Sequence, residues 1–303
     1  MSFKTKFQIF ENGLNPAAPL ASSIPVKIIG YGEISAVLQL ESEKDVVAKR
    51  MPLFTYEKAA EIYAHNHHNY CRRLRKAGLN VPMDDTAIVN GRGNLIVLYI
   101  LQKHLPPERF CHKLIHTESP AFIEEMGKAI IADIEKVWAF NEAYKPETKL
   151  AIDGQLSNWV LLESGELFFV DTSTPLMHEL ALETLNPELL IQSAPSLLKW
   201  LIRWQFLDDV MTRYYDRRLV YTDLIANLFK EQRADLVELW IALINSETSE
   251  LMKPLKKKQI QSYYKEDKLI WRLFLFLRRI DRFFKTKLMR QRYDFILPGK
   301  IKR

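Results

Sequence analysis

The chain has 303 residues, 48% of them hydrophobic and 26% charged, with 43 Lys/Arg against 37 Asp/Glu and a formal net charge of +6. This is the composition of a soluble globular protein, long enough to bury a real core in one large domain or two lobes, and it excludes a low-complexity or disordered chain. Two cysteines, Cys71 and Cys111, make neither a disulfide framework nor a CxxC pair, and no basic start followed by an apolar run opens the sequence, so a reducing, cytoplasmic setting is expected.

In chain order, three short apolar or β-branched runs, PVKII from 25, AVLQL from 36 and VVAK from 46, read as strands separated by glycine and charged turns. Residues 56–76 hold no Gly or Pro, repeat apolar positions at Ala60, Tyr63 and Ala64, and stop at Ala77 and Gly78, which predicts one long helix. Two more strands follow at 86–89 and 94–101, so the first hundred residues read as strands around a single helix. Pro106 and Pro107 break the chain, placing a boundary near 101–107 between a lobe of residues 1–101 and a lobe of residues 102–303. Ser119 and Pro120 open a helix through Asn141, with Glu124 and Glu125 in its early turns. A hairpin, WVLL then LFFV, occupies residues 159–170, and from Leu180 onward the pattern reads as helical. The tryptophans, Trp200, Trp204, Trp240 and Trp271 among them, lie in apolar helical stretches and read as core.

The charge is unevenly placed. Residues 253–303 carry 17 Lys/Arg against 4 Asp/Glu, a balance of +13, and the remainder stands at −7. A basic end of this kind suits an anionic ligand, an anionic membrane surface or the acidic body itself, with a solvated helix face as the plain alternative. No specific nucleic-acid partner is expected. The run LIWRLFLFL from 269 is too short to span a bilayer and carries Arg272. Residues 269–284 are expected to pack on the body, because so many aromatics are costly to leave in water, and the chain beyond Lys285 to meet an anionic partner.

The polar residues with chemical potential fall in a fixed order. GYGEIS at 30–35 supplies Gly30 and Gly32 between two strands. VVAK ends in Lys49. DGQLSN at 153–158 places Asp153 five residues before Asn158, and Asp171 follows the hairpin 13 positions later. Turn chemistry accounts for any one of these residues taken singly. As an ordered set over about residues 27–175 they resemble the protein-kinase-like superfamily, most closely its aminoglycoside phosphotransferase and choline kinase-like branch.

That resemblance implies a two-lobed α+β fold, with a small mixed α/β N-lobe and a mainly helical C-lobe. It implies phosphoryl transfer from ATP, assisted by Mg²⁺ or Mn²⁺, to a hydroxyl of a small molecule. Gly30 and Gly32 would cover the phosphates and Lys49 would hold them. Glu61, or alternatively Glu57, would position Lys49, and residues 99–101, with Tyr99 and Leu101, would meet the adenine. Asp153 would act on the acceptor, and Asn158 and Asp171 would bind the metal. Ala151 and Ile152 stand where the family carries His or Arg, Gln155 replaces the lysine usual in protein kinases, and Thr172 and Ser173 replace the Phe-Gly after the metal-binding acid. These departures argue against an ordinary protein kinase. An atypical protein kinase and a nucleotide-binding scaffold without turnover remain as alternatives. Finally, His65, His68 and Cys71 fall three apart on the long helix, a spacing conceivable for metal but better read as polar helix surface.

Overall fold

The runs of alternating or continuous apolar residues build a five-stranded antiparallel sheet of order β1-β2-β3-β5-β4, made of β1 (Val26–Tyr31), β2 (Ala36–Leu40), β3 (Val46–Arg50), β4 (Asp84–Asn90) and β5 (Ile96–Lys103). The computed structural model describes residues 1–303 except 23, 32–35, 52, 181, 186–211, 291, 292, 294, 295 and 297–303. Because successive strand residues point to opposite faces, β5 serves two cores. Leu98 and Ile100 pack with Ala60, Tyr63 and Ala64 of α2 (Glu57–Lys76), while Val97, Tyr99 and Leu101 pack with Phe7 and Phe10 of α1 (Phe3–Gly13). The helix α2 stops where expected, since Gly78 takes a φ of +97°, which disfavours side chains.

The helix α1 corrects the expectation of a single helix among the first hundred residues. Its few apolar positions sit among Lys, Gln, Glu and Asn, and its stability comes from what it covers. Ser2 caps it by accepting a hydrogen bond from the Thr5 N–H at 3.3 Å. Phe7 stacks on Tyr99 with ring centroids 4.3 Å apart. Glu11, buried beneath the sheet, accepts from Arg50 Nη2 at 2.7 Å, Arg50 Nε at 3.0 Å and Tyr99 OH at 2.6 Å.

Beyond Lys103 the chain turns to helices: α3 (Cys111–Thr117), α4 (Pro120–Ala143), α5 (Arg217–Lys230), α6 (Val237–Glu247) and α7 (Lys257–Phe283). The helix α4 begins as expected, with Ser119 Oγ accepting from the Phe122 N–H at 3.3 Å. Strand β5 runs two residues past the expected lobe end at 101, so the change of architecture falls at residues 104–106. One core runs without a break from the α2 face of the sheet through Leu150, Trp159 and Phe169 to Ile130, Tyr221 and Trp240 of the helices. Trp138, Trp159 and Trp240 are core residues as expected; Trp200 and Trp204 lie outside the described residues, and Trp271 is part-exposed.

Between α4 and α5 lie β6 (Thr148–Leu150), the hairpin β7 (Trp159–Leu161) and β8 (Leu167–Phe169), and the short strands β9 (Met177–Glu179) and β10 (Leu182–Glu183). The helix expected from Leu180 is therefore a strand pair at its start. Strand β9 pairs with β6, Thr148 opposite Glu179 and Leu150 opposite Met177, and Leu180 turns the chain at a φ of 50°. Partner strands override local helix preference here. The expectation that residues 269–284 pack on the body holds for one side of the helix only. The helix α7 buries Arg278 and Asp281 and leaves Leu269, Leu273 and Phe276 exposed.

The buried Glu11 carboxylate joins three elements, so breaking it leaves the Arg50 charge without its bidentate partner. Glu11→Ala is expected to cost about 3–5 kcal/mol, and Tyr99→Phe about 1–3 kcal/mol, in urea unfolding of the full chain. Equal costs for the two would mean that the charge pair contributes nothing beyond one hydrogen bond.

Candidate active site

Lys49 and Ile100 are directly opposite in the β3–β5 ladder, so both side chains leave the sheet on the α2 side. There Lys49 Nζ donates to Asp171 Oδ1 at 3.0 Å and to Ser173 Oγ, while Ser173 Oγ donates to the same Asp171 oxygen at 3.2 Å. The residues around Asp171 are pinned from two sides. Tyr63 OH of α2 donates to the Ser173 carbonyl at 2.8 Å, and Gln102 Nε2 of β5 donates to Thr172 Oγ1 at 2.8 Å and to the Val170 carbonyl at 3.2 Å. His67 Nε2 lies 3.3 Å from Thr172 Oγ1, and burial holds this imidazole down at about 4, in its neutral form at pH 7.

The loop at 153–158 approaches from the opposite side. The Val170 N–H donates to the Asn158 carbonyl at 2.9 Å, fixing Asn158 beside the strand that delivers Asp171. Asn158 Nδ2 donates back to the Asp153 carbonyl at 3.1 Å, and Asp153 Oδ1 accepts from the Gln155 N–H at 3.1 Å. Gly154 sits so close to α5 that a Cβ would come within 3.0 Å of Val220 Cγ1. Ala151 and Ile152 are fully buried, and the Ala151 carbonyl accepts from Tyr70 OH at 2.7 Å, which anchors the start of this loop in the core.

Asp153 is the most perturbed carboxyl of the set. Burial, then the neighbouring charges of Asp223 and Asp171, push it up to about 8. Asp223 of α5, itself raised by burial, accepts from Gln155 Nε2 at 3.0 Å, and Lys230 Nζ donates to Gln155 Oε1 at 2.9 Å. A small open cleft adjoins this group between α5 and α7, lined by Gln155, Asp223, Lys230, Tyr264, Asp267 and Trp271 among others.

Four of the expected site residues therefore meet as two clusters joined by the Val170–Asn158 bond: Lys49 with Asp171, and Asp153 with Asn158, while Gly30 stands in β1 opposite Val37. Nothing lies within 4 Å of where a Gly30 Cβ would be, so its side faces open space; Gly32 lies outside the described residues. Glu61 does not hold Lys49. It lies half-exposed on the outer face of α2, paired to Lys58 at 3.3 Å, and Glu57 is exposed too. The inward positions of that helix are Ala60, Tyr63, Ala64 and His67, so the acid is out of phase with the cleft. Tyr99 and Leu101 do not face the cleft either. Both belong to the α1-side core, and their strand is already paired on both edges, with β3 and with β4. Ile100 and Gln102 are the inward residues.

Tyr63, His67, Ser173 and Asp223 are the residues that sequence reasoning missed. Asp223 alone had a visible signal, as a single acid in the apolar run VYTDLIANLF. His65, His68 and Cys71 do not converge: His65 bonds Asn69 on the exposed face. His67, Cys71 and Asp84 instead place one donor atom each within 4.8 Å of one another, but Asp84 is already taken by Arg75 and His68.

Asn158 and Asp171 fit a hard divalent cation chemically. Among the described residues, Asn158 Oδ1 and Asp171 Oδ2 accept no hydrogen bond, and both are the oxygen donors that Mg²⁺ prefers. Residues 17–282 match the family described as a family of unknown function (DUF6206), and the chain belongs to it. None of the curated proteins matches the chain.

The folded Asp153 carboxyl keeps its proton up to about pH 8, whereas its ordinary value is 3.8. The folded chain therefore binds a proton that the unfolded chain releases, so its contribution to stability is full below about pH 4 and is lost as pH rises to about 8. Asp153→Asn is expected to flatten that decline in urea titrations between pH 5 and 8. An identical slope in the variant would place the proton elsewhere.

Proposed function

We propose that this chain is a two-lobed kinase-like phosphotransferase that moves a phosphoryl group from ATP to a hydroxyl of a small molecule. The observation that carries the reading is the pairing of Lys49 with Asp171 across the cleft, with Asn158 and Asp153 tied to the same strand by the Val170–Asn158 bond. ATP with a divalent cation, Mg²⁺ or Mn²⁺, supplies the phosphoryl group and neutralises the charge on the triphosphate.

The protein's part is placement. Lys49 offers a cation at the strand end nearest Asp171, and it exchanges its carboxylate partner for phosphate oxygens. Asn158 Oδ1 and Asp171 Oδ2 would be the oxygens that hold the divalent cation. Ser173 takes up a position beside both Lys49 and Asp171, partly filling the role expected of Glu61. Asp153 accepts the proton of the acceptor hydroxyl. Burial holds its proton first and the charges of Asp223 and Asp171 add to that, so neutralising Asp171 lowers its pKa toward that of a base operating near neutrality. The cleft between α5 and α7, lined by Gln155 and Asp223, is the space proposed for the acceptor. A second reading, nucleotide binding without turnover, draws on the same numbers, because a carboxyl protonated at pH 7 is no base until that charge is removed.

ATP with Mg²⁺ at about 100 times Kd is expected to stabilise the wild-type chain by about 2.7 kcal/mol, read as a rise in Tm. Asp171→Ala is expected to lose the Mg²⁺-dependent part of that rise. Asp153→Asn is expected to retain it while lowering kcat for phosphoryl transfer about 10²–10⁴-fold. No rise in Tm for the wild type would overturn the proposal. A rise without ATP consumption in any protein would select the binding module over the enzyme.

A further inference from the structure

The helix α7 turns its most apolar side to solvent. Leu269, Leu273, Phe276 and Phe283 are 69%, 52%, 59% and 57% exposed. With half-buried Ile280 they fall at successive intervals of four, three, four and three residues, which is one stripe along about 21 Å of helix. Beyond Phe283 the turn Phe284–Leu288 adds exposed Phe284 and Leu288, and Met289 follows. The opposite side is the one that packs, burying Arg278 and Asp281. An apolar strip of this size facing water is far from ordinary surface scatter.

The charges beside the stripe decide what covers it. Arg272, Arg279, Lys287 and Arg290 are exposed along residues 269–290. The only acid in that stretch, Asp281, is 9% exposed and is bound to Lys285 at 3.1 Å. A seam with a second copy of this helix would set cations against cations, where paired helices place opposite signs beside their apolar stripe. A surface that is apolar below and anionic above satisfies both features at once. No helix among the described residues is long and apolar enough to cross a membrane, so the geometry is that of a helix lying in the interface.

We propose that α7 and the turn after it dock this protein on an anionic lipid surface, with Leu273, Phe276 and Phe283 entering the acyl boundary and the flanking cations meeting the headgroups. The test is flotation of the full chain with vesicles of phosphatidylcholine alone and of phosphatidylcholine mixed with phosphatidylserine. The wild type is expected to float with the mixed vesicles at least tenfold more than with phosphatidylcholine alone. Raising KCl from about 0.1 M to about 1 M, which shortens screening from about 10 Å to about 3 Å, is expected to reduce that recovery. Phe276→Glu with Phe283→Glu is expected to abolish it with Tm unchanged, since both side chains are already in water. Arg279→Gln with Lys287→Gln is expected to weaken it several-fold while keeping the apolar stripe. Absence of flotation with either vesicle would overturn the proposal, as would equal flotation of wild type and the double Phe variant. A wild-type dimer in sedimentation that the Phe variant converts to monomer, without vesicle recovery, would assign the stripe to a second copy instead.

Discussion

Everything in the candidate site follows from a sheet that is buried on both faces. Because neighbouring residues of a strand point in opposite directions, each position of β3 and β5 is committed either to α1 or to α2. Lys49 and Ile100 go to the α2 side together, and Tyr99 and Leu101 go to the other. The cation that faces the cleft is thereby fixed by the same alternation that buries Tyr99 against Phe7. A slip of one residue in the β3 register would send Lys49 into the α1 core and lift Ala48 into the cleft.

The cleft is also an electrostatic arrangement with a surplus of negative charge. Asp153, Asp171 and Asp223 crowd together, and among the described residues only Asp171 has a cation in direct contact. The crowding carries a cost at neutral pH that the protein meets by keeping Asp153 protonated. Burial and two like charges all act in that direction.

Much of this was readable in the sequence. Five strands, the long helix at 57–76 and the capped helix at 120–143 follow from local patterns, because glycines, prolines and caps mark their ends. The order of the motifs put Lys49 and Asp171 in one site although they are 122 positions apart, but it gave Lys49 to Glu61 as its partner, and the direct Lys49–Asp171 contact was not foreseen. What was not readable depended on phase or on partners. Glu61 is one residue past an inward position, and a single residue on a helix turns a side chain by about 100°. Helix α1 has too little apolar surface to announce itself and is held by Tyr99 and Arg50 from elsewhere in the chain. The strands after Leu176 exist because β6 is beside them. The outward face of α7 has the composition of a core helix, so composition alone assigned it to the core.

The unbroken core described above has a consequence for motion. The α2 face of the sheet, the hairpin β7–β8 and the helices α4 to α6 share one set of buried side chains, so no layer of water separates an upper from a lower half. Rotating the sheet away from the helices would expose Leu98, Trp159 and Phe169 together. A hinge of large amplitude at residues 104–106 is therefore expensive, and the displacements open to the cleft mouth are smaller ones, in which polar side chains exchange partners without opening the interior. The same continuity makes the sheet and the helices one cooperative unit, in which loss of either half removes the other's apolar partner.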